Sequence, residues 1–378
     1  MPTLTKCEFK QSLINKIMKI GILSMQMVSN YGSYLQAYAL KSIIESFGHK
    51  CYFIEPQKDI NIPTLRRSIM FYIRKSYERF FAHDIYSRIK YYCLFYKRFN
   101  NFKKELVPTD SLESKYDIVV IGSDEVFNCF QSAPWCFSCS LFGHIPNAGK
   151  IISYAGSFGH TTINDINKNE QIKLLIQQGF SKMSHISIRD QNSLNIILKL
   201  TGKNPEFHID PVLLYNYDTI VPDKIPDQDY ILIYSYPNRI NNKQEIQAIQ
   251  EFAKQQQKKL ISIGFYFPWC NKTVIPHPFD VLAYFQHADY IITDTFHGTI
   301  MSIKYNKQFV TLIRESNKQK LLSLLDQFDL NKRAINDMHD LNCLLTTHID
   351  YTNVNKKIQT EQNKATQYLH TTLFKIQI

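Results

Sequence analysis

The stretch "DYIITDTFHGTIMSI", residues 289–303, decides how this chain folds, because it opens as a buried strand and closes as a helix. The strand reads from Tyr290 to Asp294, and the helix starts near His297 or Gly298. Such a strand-to-helix turn is the repeating joint of α/β domains with mostly parallel sheets. The first N–H groups of the helix have no intrahelical partner and point toward the carboxyl end of the strand. Together with the helix dipole they make a site for phosphate or carboxylate. Gly298 lets a ligand approach the backbone closely, and the imidazole of His297 can exchange a proton beside a bound anion. The simpler alternative is that Asp294 or Thr295 does no more than cap the helix.

Working outward, the same joint recurs on both sides. Toward the N-terminus, "KIGILSM" (19–25), "KCYFIE" (50–55), "DIVVIGS" (117–123), "KIISYAGS" (150–157) and "HISIRD" (185–190) read as strands. Helices are expected over 33–48, roughly 166–183 and 191–202. The Pro- and Asp-rich stretch "NYDTIVPDKIPDQD" (216–229) reads as a linker. A second series follows it, with strands "YILIYSY" (230–236), "KLISIGF" (259–265), "YIITD" (290–294) and "FVTLI" (309–313). The expected division is an extension over 1–17, a first domain over 18–222, a second over 223–350 and a C-terminal polar helix within 351–378. Two doubly wound domains place a cleft between the carboxyl edges of two sheets, where ligands of such sheets bind.

The 378 residues carry a formal net charge of +11, which favours an anionic partner: a phosphorylated substrate, an anionic lipid surface or nucleic acid. No run of about 18 apolar residues is present to span a membrane, and the first residues lack the apolar core of a secretory signal. A cytoplasmic protein with reduced thiols is therefore expected from its eight cysteines. Cys129, Cys136 and Cys139 include one CxxC pair, with His144 nearby as a fourth ligand for zinc. Separate structural thiols are the preferred reading, and no metal is expected.

Other strand ends also carry polar groups. "SNYGSYLQAYAL" (29–40) joins the first strand to the first helix through Asn30, Tyr31 and Gly32, without the lysine of a P-loop or a GxGxxG fingerprint. "VVIGSDEVFN" (119–128) puts Ser123 and Asp124 after a buried strand, "SYAGSFG" (153–159) does so with Ser157, and "SIRDQNS" (187–193) with Arg189. An arginine there clamps a phosphate or carboxylate, or else pairs internally with Asp190 or Asp210. Arg314 after "FVTLI" is a second candidate clamp. Residues 65–104 hold eleven Lys or Arg against Glu78 and Asp84, interleaved with Tyr and Phe. That pattern suits an anionic membrane surface or a solvated insertion whose aromatics pack on the domain. Nucleic acid is not the expected partner, because no reader motif accompanies the charge.

Taken in order, "SNYGSYLQAYAL", "DIVVIGSDEVFN", "SYAGSFG", "SIRDQNS", "IDPVLL", "ADYIITDTFHGTIMSI" and "NKQKLLSLLDQFDL" resemble the polysaccharide pyruvyl transferase family over roughly residues 18–335. The resemblance implies two Rossmann-like α/β domains facing across a cleft, similar to GT-B glycosyltransferases. It also implies transfer of the pyruvyl group of phosphoenolpyruvate to two hydroxyls of one sugar, forming a cyclic ketal and releasing phosphate. The family histidine falls on His297 and its arginine on Arg189. Family members commonly have Trp where Phe127 stands. On this reading His297, Asp294 and Asp124 are the catalytic candidates. Arg189, Arg314, Thr295, Gly298, Thr299, Ser157, Ser123, Asn30, Tyr31 and Gly32 are the substrate-binding ones. The scheme needs no metal and no cofactor beyond the donor. The acceptor would be a surface-polysaccharide sugar on polyprenyl phosphate, met at the inner face of the membrane through 65–104. The competing readings are a GT-B glycosyltransferase with a nucleotide-sugar donor and a non-catalytic, membrane-associated component of polysaccharide assembly.

Overall fold

The computed structural model of the chain describes residues 17–58, 84–106, 108–131 and 137–374. Its first half runs β1 (Lys19–Leu23), α1 (Tyr31–Ser46), β2 (Lys50–Ile54), α2 (Ile85–Lys103), β3 (Thr109–Asp110), β4 (Tyr116–Asp124), β5 (Ala148–Gly156), α3 (Ile163–Asn167), α4 (Glu170–Lys182), β6 (Ser187–Ile188), α5 (Gln191–Thr201), β7 (Glu206–Phe207) and α6 (Pro211–Leu214). The second half runs β8 (Tyr230–Tyr234), α7 (Lys243–Gln255), β9 (Lys259–Ile263), β10 (Lys272–Val274), α8 (Pro278–His287), β11 (Tyr290–Thr293), α9 (Phe296–Lys304), β12 (Gln308–Leu312), α10 (Lys318–Gln327), β13 (Ala334–Ile335), α11 (Leu341–Thr346) and α12 (Thr352–Phe374).

The first sheet has the order β3-β2-β1-β4-β5-β6-β7 and the second β10-β9-β8-β11-β12-β13. Every ladder in both is parallel. The central strands are apolar throughout because helices cover both faces; all five residues of β8 are buried. In each sheet the order reverses beside the first strand, between β1 and β4 and between β8 and β11. That reversal opens a crevice at the strands' carboxyl ends, the usual ligand position in open α/β sheets.

Helix α12 begins at Thr352, within the range 351–378 expected for a polar helix, and it is not polar all round. It buries Ala365, Tyr368, Leu369 and Leu373, and it returns to the first domain. There the Tyr368 hydroxyl donates to the Ser153 carbonyl (2.8 Å) and Lys150 Nζ to that of Thr372 (2.6 Å). The helix expected over 166–183 is two helices, α3 and α4, with Asn169 capping the second. Strands β3, β7, β10 and β13, of two or three residues each, were not among the expected ones; they are too short to leave a periodic pattern.

Much of the basic-aromatic stretch 65–104 falls in α2, while 65–83 lie outside the described residues. Phe95 and Phe99 are buried and meet Tyr31 of α1 edge-on at 5.7 and 5.2 Å. Phe95 also packs on Phe265 of the second domain (4.7 Å), and Tyr91 stacks on Tyr266. Arg88 donates to Asn238 (3.1 Å), Arg98 to the Ile275 carbonyl and Lys103 to Ser29 (3.2 Å). The aromatics of α2 thus join the two domains, and its exposed side keeps Tyr86, Ile89, Lys90 and Lys97. Of the cysteine cluster, Cys129 is buried and Cys139 partly so, while Cys136 lies outside the described residues. Among the described residues no three His, Cys, Asp or Glu side chains gather as metal ligands, and no helix is long and apolar enough to cross a membrane.

Candidate active site

The two reversal points face each other. At the second, Thr295 caps α9: its hydroxyl accepts from the Gly298 N–H (2.9 Å), so the helix begins one residue earlier than the sequence suggests. His297 is thereby carried on the first turn, 7% exposed, with Nε2 at 3.5 Å from Asp210 Oδ2 of the first domain. Asp210 caps α6 with its other oxygen, accepting from the Val212 N–H (3.0 Å).

Arg189 stands between two carboxylates: one terminal nitrogen is 2.6 Å from Asp210 and the other 2.7 Å from Asp124. Its guanidinium also lies 4.1 Å over the ring of Phe296, a cation–π contact across the domain boundary. Of the alternatives open for Arg189, internal pairing is therefore what the fold displays, with Asp210 as foreseen and with Asp124 rather than Asp190. Asp190 instead caps α5 through the Ser193 N–H. Asp124 has φ of 76°, a left-handed conformation that costs a non-glycine residue on the order of 1 kcal/mol. Arg189 and the Ser33 hydroxyl (2.8 Å) hold its carboxylate there. Burial works to raise the pKa values of both carboxyls. The charges of Arg189 and His297 outweigh it, leaving Asp124 and Asp210 below the usual range.

Asp294 is different. It is fully buried, Arg239 is 3.7 Å away, and neither carboxylate oxygen accepts a hydrogen bond of ordinary geometry. Burial pushes its carboxyl above the ordinary range, against the opposing charge of Arg239. A group whose folded pKa is raised weakens the fold as pH climbs past the unfolded value, about 4 for Asp. Asp294→Asn is accordingly expected to raise Tm at pH 8, by a margin that narrows as the pH is lowered toward 5; thermal melts across that window test it.

The remaining residues singled out in the sequence divide by what they touch. Gly32 lies against the imidazole: a Cβ there would sit 2.2 Å from Cγ and Nδ1 of His297. Gly32→Ala must displace the ring, so a loss of activity of about tenfold or more is expected with little change in Tm, read from paired kinetic and melting measurements. Asn30 caps α1 by accepting from the Gly32 N–H (2.7 Å) and donates to the Tyr236 hydroxyl of the other domain. Tyr31 is buried and its hydroxyl donates to the Pro276 carbonyl (3.0 Å). Ser123 is buried and donates to Gln36, while Ser157 accepts from the Gly159 N–H (2.9 Å). Thr299 donates to the Thr295 carbonyl (3.0 Å) inside α9.

Two expectations need correction. Arg314 is not free to clamp a ligand: both terminal nitrogens pair with Glu245, at 2.5 and 2.9 Å. Gly298 does not leave room for a ligand; a Cβ there would meet Thr293 Oγ1 at 2.1 Å, so the domain's own strand fills the space.

Sequence reading missed Asp210 as a partner of His297, and Arg239, whose guanidinium lies 4.7 Å over the Tyr236 ring. The Asp before Pro in "IDPVLL" signals a cap and gives no hint of its second oxygen. Glu125 also went unassigned; it pairs with Lys320 of α10 at 2.5 Å and so ties the domains together.

The fold and this interdomain charge cluster define a two-domain α/β protein of GT-B-like architecture. It resembles S. aureus MnaA in complex with UDP (TM-score 0.51, 9% identity, 96% of this chain and 98% of that one). It also resembles the UDP-GlcNAc 2-epimerase of Neisseria meningitidis bound to UDP-GlcNAc (TM-score 0.50, 9% identity, 95% and 100%). At such identity the likeness concerns the fold alone. No curated protein matches the chain in sequence. The chain belongs to the polysaccharide pyruvyl transferase family, whose model it matches over residues 30–316. Membership makes it an enzyme of polysaccharide pyruvylation with a sugar acceptor.

Proposed function

We propose that the enzyme transfers the pyruvyl group of phosphoenolpyruvate to two hydroxyls of one sugar, closing a cyclic ketal and releasing phosphate. The observation that carries this reading is His297, held 3.5 Å from Asp210 where the carboxyl edges of both sheets meet. Addition of a proton to the methylene carbon of the donor makes the neighbouring carbon oxocarbenium-like. The first sugar hydroxyl attacks that carbon and gives up its proton, so this step is proton-neutral. The second hydroxyl displaces phosphate, and its proton leaves with the phosphate or with a base.

His297 is the proton carrier. Asp210, 3.5 Å from its Nε2, positions the ring against the first domain. Asp294, kept toward its protonated form by burial, is the partner acid, and Asp124 helps to fix Arg189 and the cluster. Arg189 acts through the two carboxylates it holds, which makes it a positioning residue. The donor's negative charge is met by Arg239 and by the free N–H groups at the start of α9.

The acceptor sugar is taken to be a surface-polysaccharide precursor on polyprenyl phosphate. The side of α2 bearing Tyr86, Ile89, Lys90 and Lys97 would then meet an anionic bilayer at the inner face of the membrane. Lys90→Glu with Lys97→Glu should abolish co-sedimentation with phosphatidylglycerol vesicles; unchanged binding would remove the membrane from the scheme.

The test of the reaction is phosphate release from phosphoenolpyruvate with a panel of lipid-linked or synthetic galactosides and N-acetylmannosaminides. Release that requires the acceptor, with a product heavier by one pyruvyl ketal, supports the proposal. A protein stabilised by a nucleotide sugar and indifferent to phosphoenolpyruvate would be a glycosyltransferase instead.

A further inference from the structure

Asn317 stands at the start of α10, where an asparagine ordinarily turns its side chain onto the first N–H groups of its own helix. Here the side chain does not cap α10. Its Oδ1 accepts from the Arg314 N–H (2.9 Å), and the Asn317 N–H donates in return to the Arg314 carbonyl (2.9 Å). This closed loop of bonds holds the amide in one orientation. Its Nδ2 donates across to the carbonyl of Asp294 (2.5 Å), in the turn between β11 and α9. Asn317 is 3% exposed, so these bonds are made away from solvent. The same carbonyl also receives Arg239, but loosely, at 3.4 Å, and the Asp294 carboxylate is 3.7 Å from that guanidinium. The Arg239 side chain is 32% exposed, so one side of it faces outward. Among the described residues, the side chains that donate to this carbonyl are those of Asn317 and Arg239. A buried carbonyl left without a good donor is costly, so one of them must take it.

We propose that Asn317 is a positioning residue for the donor: by occupying the Asp294 carbonyl it keeps the Arg239 guanidinium free to meet an anion. The proposal rests on the reading in which Arg239 receives the donor's charge, while the competition for the carbonyl stands on the hydrogen bonds themselves. Without the amide, Arg239 closes onto the Asp294 carbonyl and carboxylate, and a loose contact becomes a firm one. An anion must then break that contact before it can pair with the guanidinium, so it binds more weakly. The proposal also gives the backbone of Arg314 a purpose. The guanidinium of Arg314 is committed to Glu245, and its N–H and carbonyl hold the amide that frees a different arginine.

The experiment compares the intact wild type with Asn317→Ala and Asn317→Ser. The serine hydroxyl stays near the Arg314 N–H but ends one atom short of the Asp294 carbonyl, and it carries the test should the alanine variant not fold. The first readout needs no ligand: the rate at which phenylglyoxal modifies Arg239, followed by peptide mass mapping. That rate should fall about tenfold in the variants, the worth of one hydrogen bond. A merely loosened fold would expose Arg239 and raise the rate, so the sign separates positioning from damage. The second readout is the affinity for phosphoenolpyruvate by titration calorimetry, which should weaken by a similar factor. A rate that is unchanged or raised in the variants overturns the proposal. So does a wild type that binds phosphoenolpyruvate no better than the variants do. A slower rate in the variants, with a wild type that does not bind phosphoenolpyruvate, supports the positioning of Arg239 and removes the pyruvyl reading.

Discussion

Replacing His297 by alanine is expected to lower acceptor-dependent phosphate release by about 10²–10⁴-fold, the range of a positioned proton carrier. The loss should appear in kcat, with the phosphoenolpyruvate KM nearly unchanged, because Arg239 and the α9 N–H groups stay in place. Melting should shift little: the ring is small, and Asp210 keeps its ion pair with Arg189 at 2.6 Å. Steady-state kinetics on a well-folded variant decides the matter. Activity within a few-fold of wild type would show that the proton passes through another group, with Asp294 the next to replace.

Arg189→Met is expected to act mainly on stability. Removing the guanidinium leaves Asp124 and Asp210 buried, close together and without their shared cation, and breaking a buried pair in this way costs about 3–5 kcal/mol. Lysine would recover only part of this, since one ammonium cannot bridge two carboxylates as a guanidinium fork does. The pH dependence carries the signature. In the wild type both carboxyls lie below their ordinary range, so their contribution is complete above pH ~4 and disappears as pH falls through the folded values. In the variant the uncompensated carboxylates are pushed the other way, so the deficit is greatest near neutrality and shrinks on acidification. Urea unfolding at several pH values reads both effects; a deficit independent of pH would mean that lost packing, including the contact with Phe296, dominates.

The architecture was largely legible in the sequence because its central strands are covered on both faces. Continuous runs such as "DIVVIGS" and "YILIYSY" leave little else for those segments to be, and each is followed by a capping residue and an amphipathic helix. That His297 and Arg189 belong together followed from the family resemblance and from both standing at strand ends. Their partners were less visible for a physical reason. Asp210 and Asp124 are 86 positions apart, and only tertiary folding brings both to Arg189; locally Asp210 reads as a helix cap, a job it also performs. Glycines misled in two directions. Gly298 suggested space for a ligand where a strand side chain presses in, and Gly32 read as part of a strand-to-helix joint where in fact the imidazole of the other domain is received. The charges of α2 drew attention to its surface, yet the residues that fix its position are Phe95 and Phe99, hidden among similar aromatics until a partner surface is known.

The return of α12 to the first domain means that the backbone passes between the two domains twice. Both passages run past the tail of α9: Lys304 donates to the Tyr215 carbonyl (2.8 Å) on one, and the Tyr351 hydroxyl on the other donates to that of Lys307 (2.6 Å). Two adjacent tethers act as a pivot, about which the Glu125–Lys320 pair and the anchoring of α2 limit the swing. Helix α9 is then a lever of nine residues, about 13 Å long at 1.5 Å per residue, fixed at the pivot and tipped with His297. A swing of only about 5° sweeps the imidazole through roughly 1 Å, a displacement large enough to take a proton carrier out of line with its target. The seam where the chain doubles back is thus the fixed point from which alignment at the far end of the helix is held.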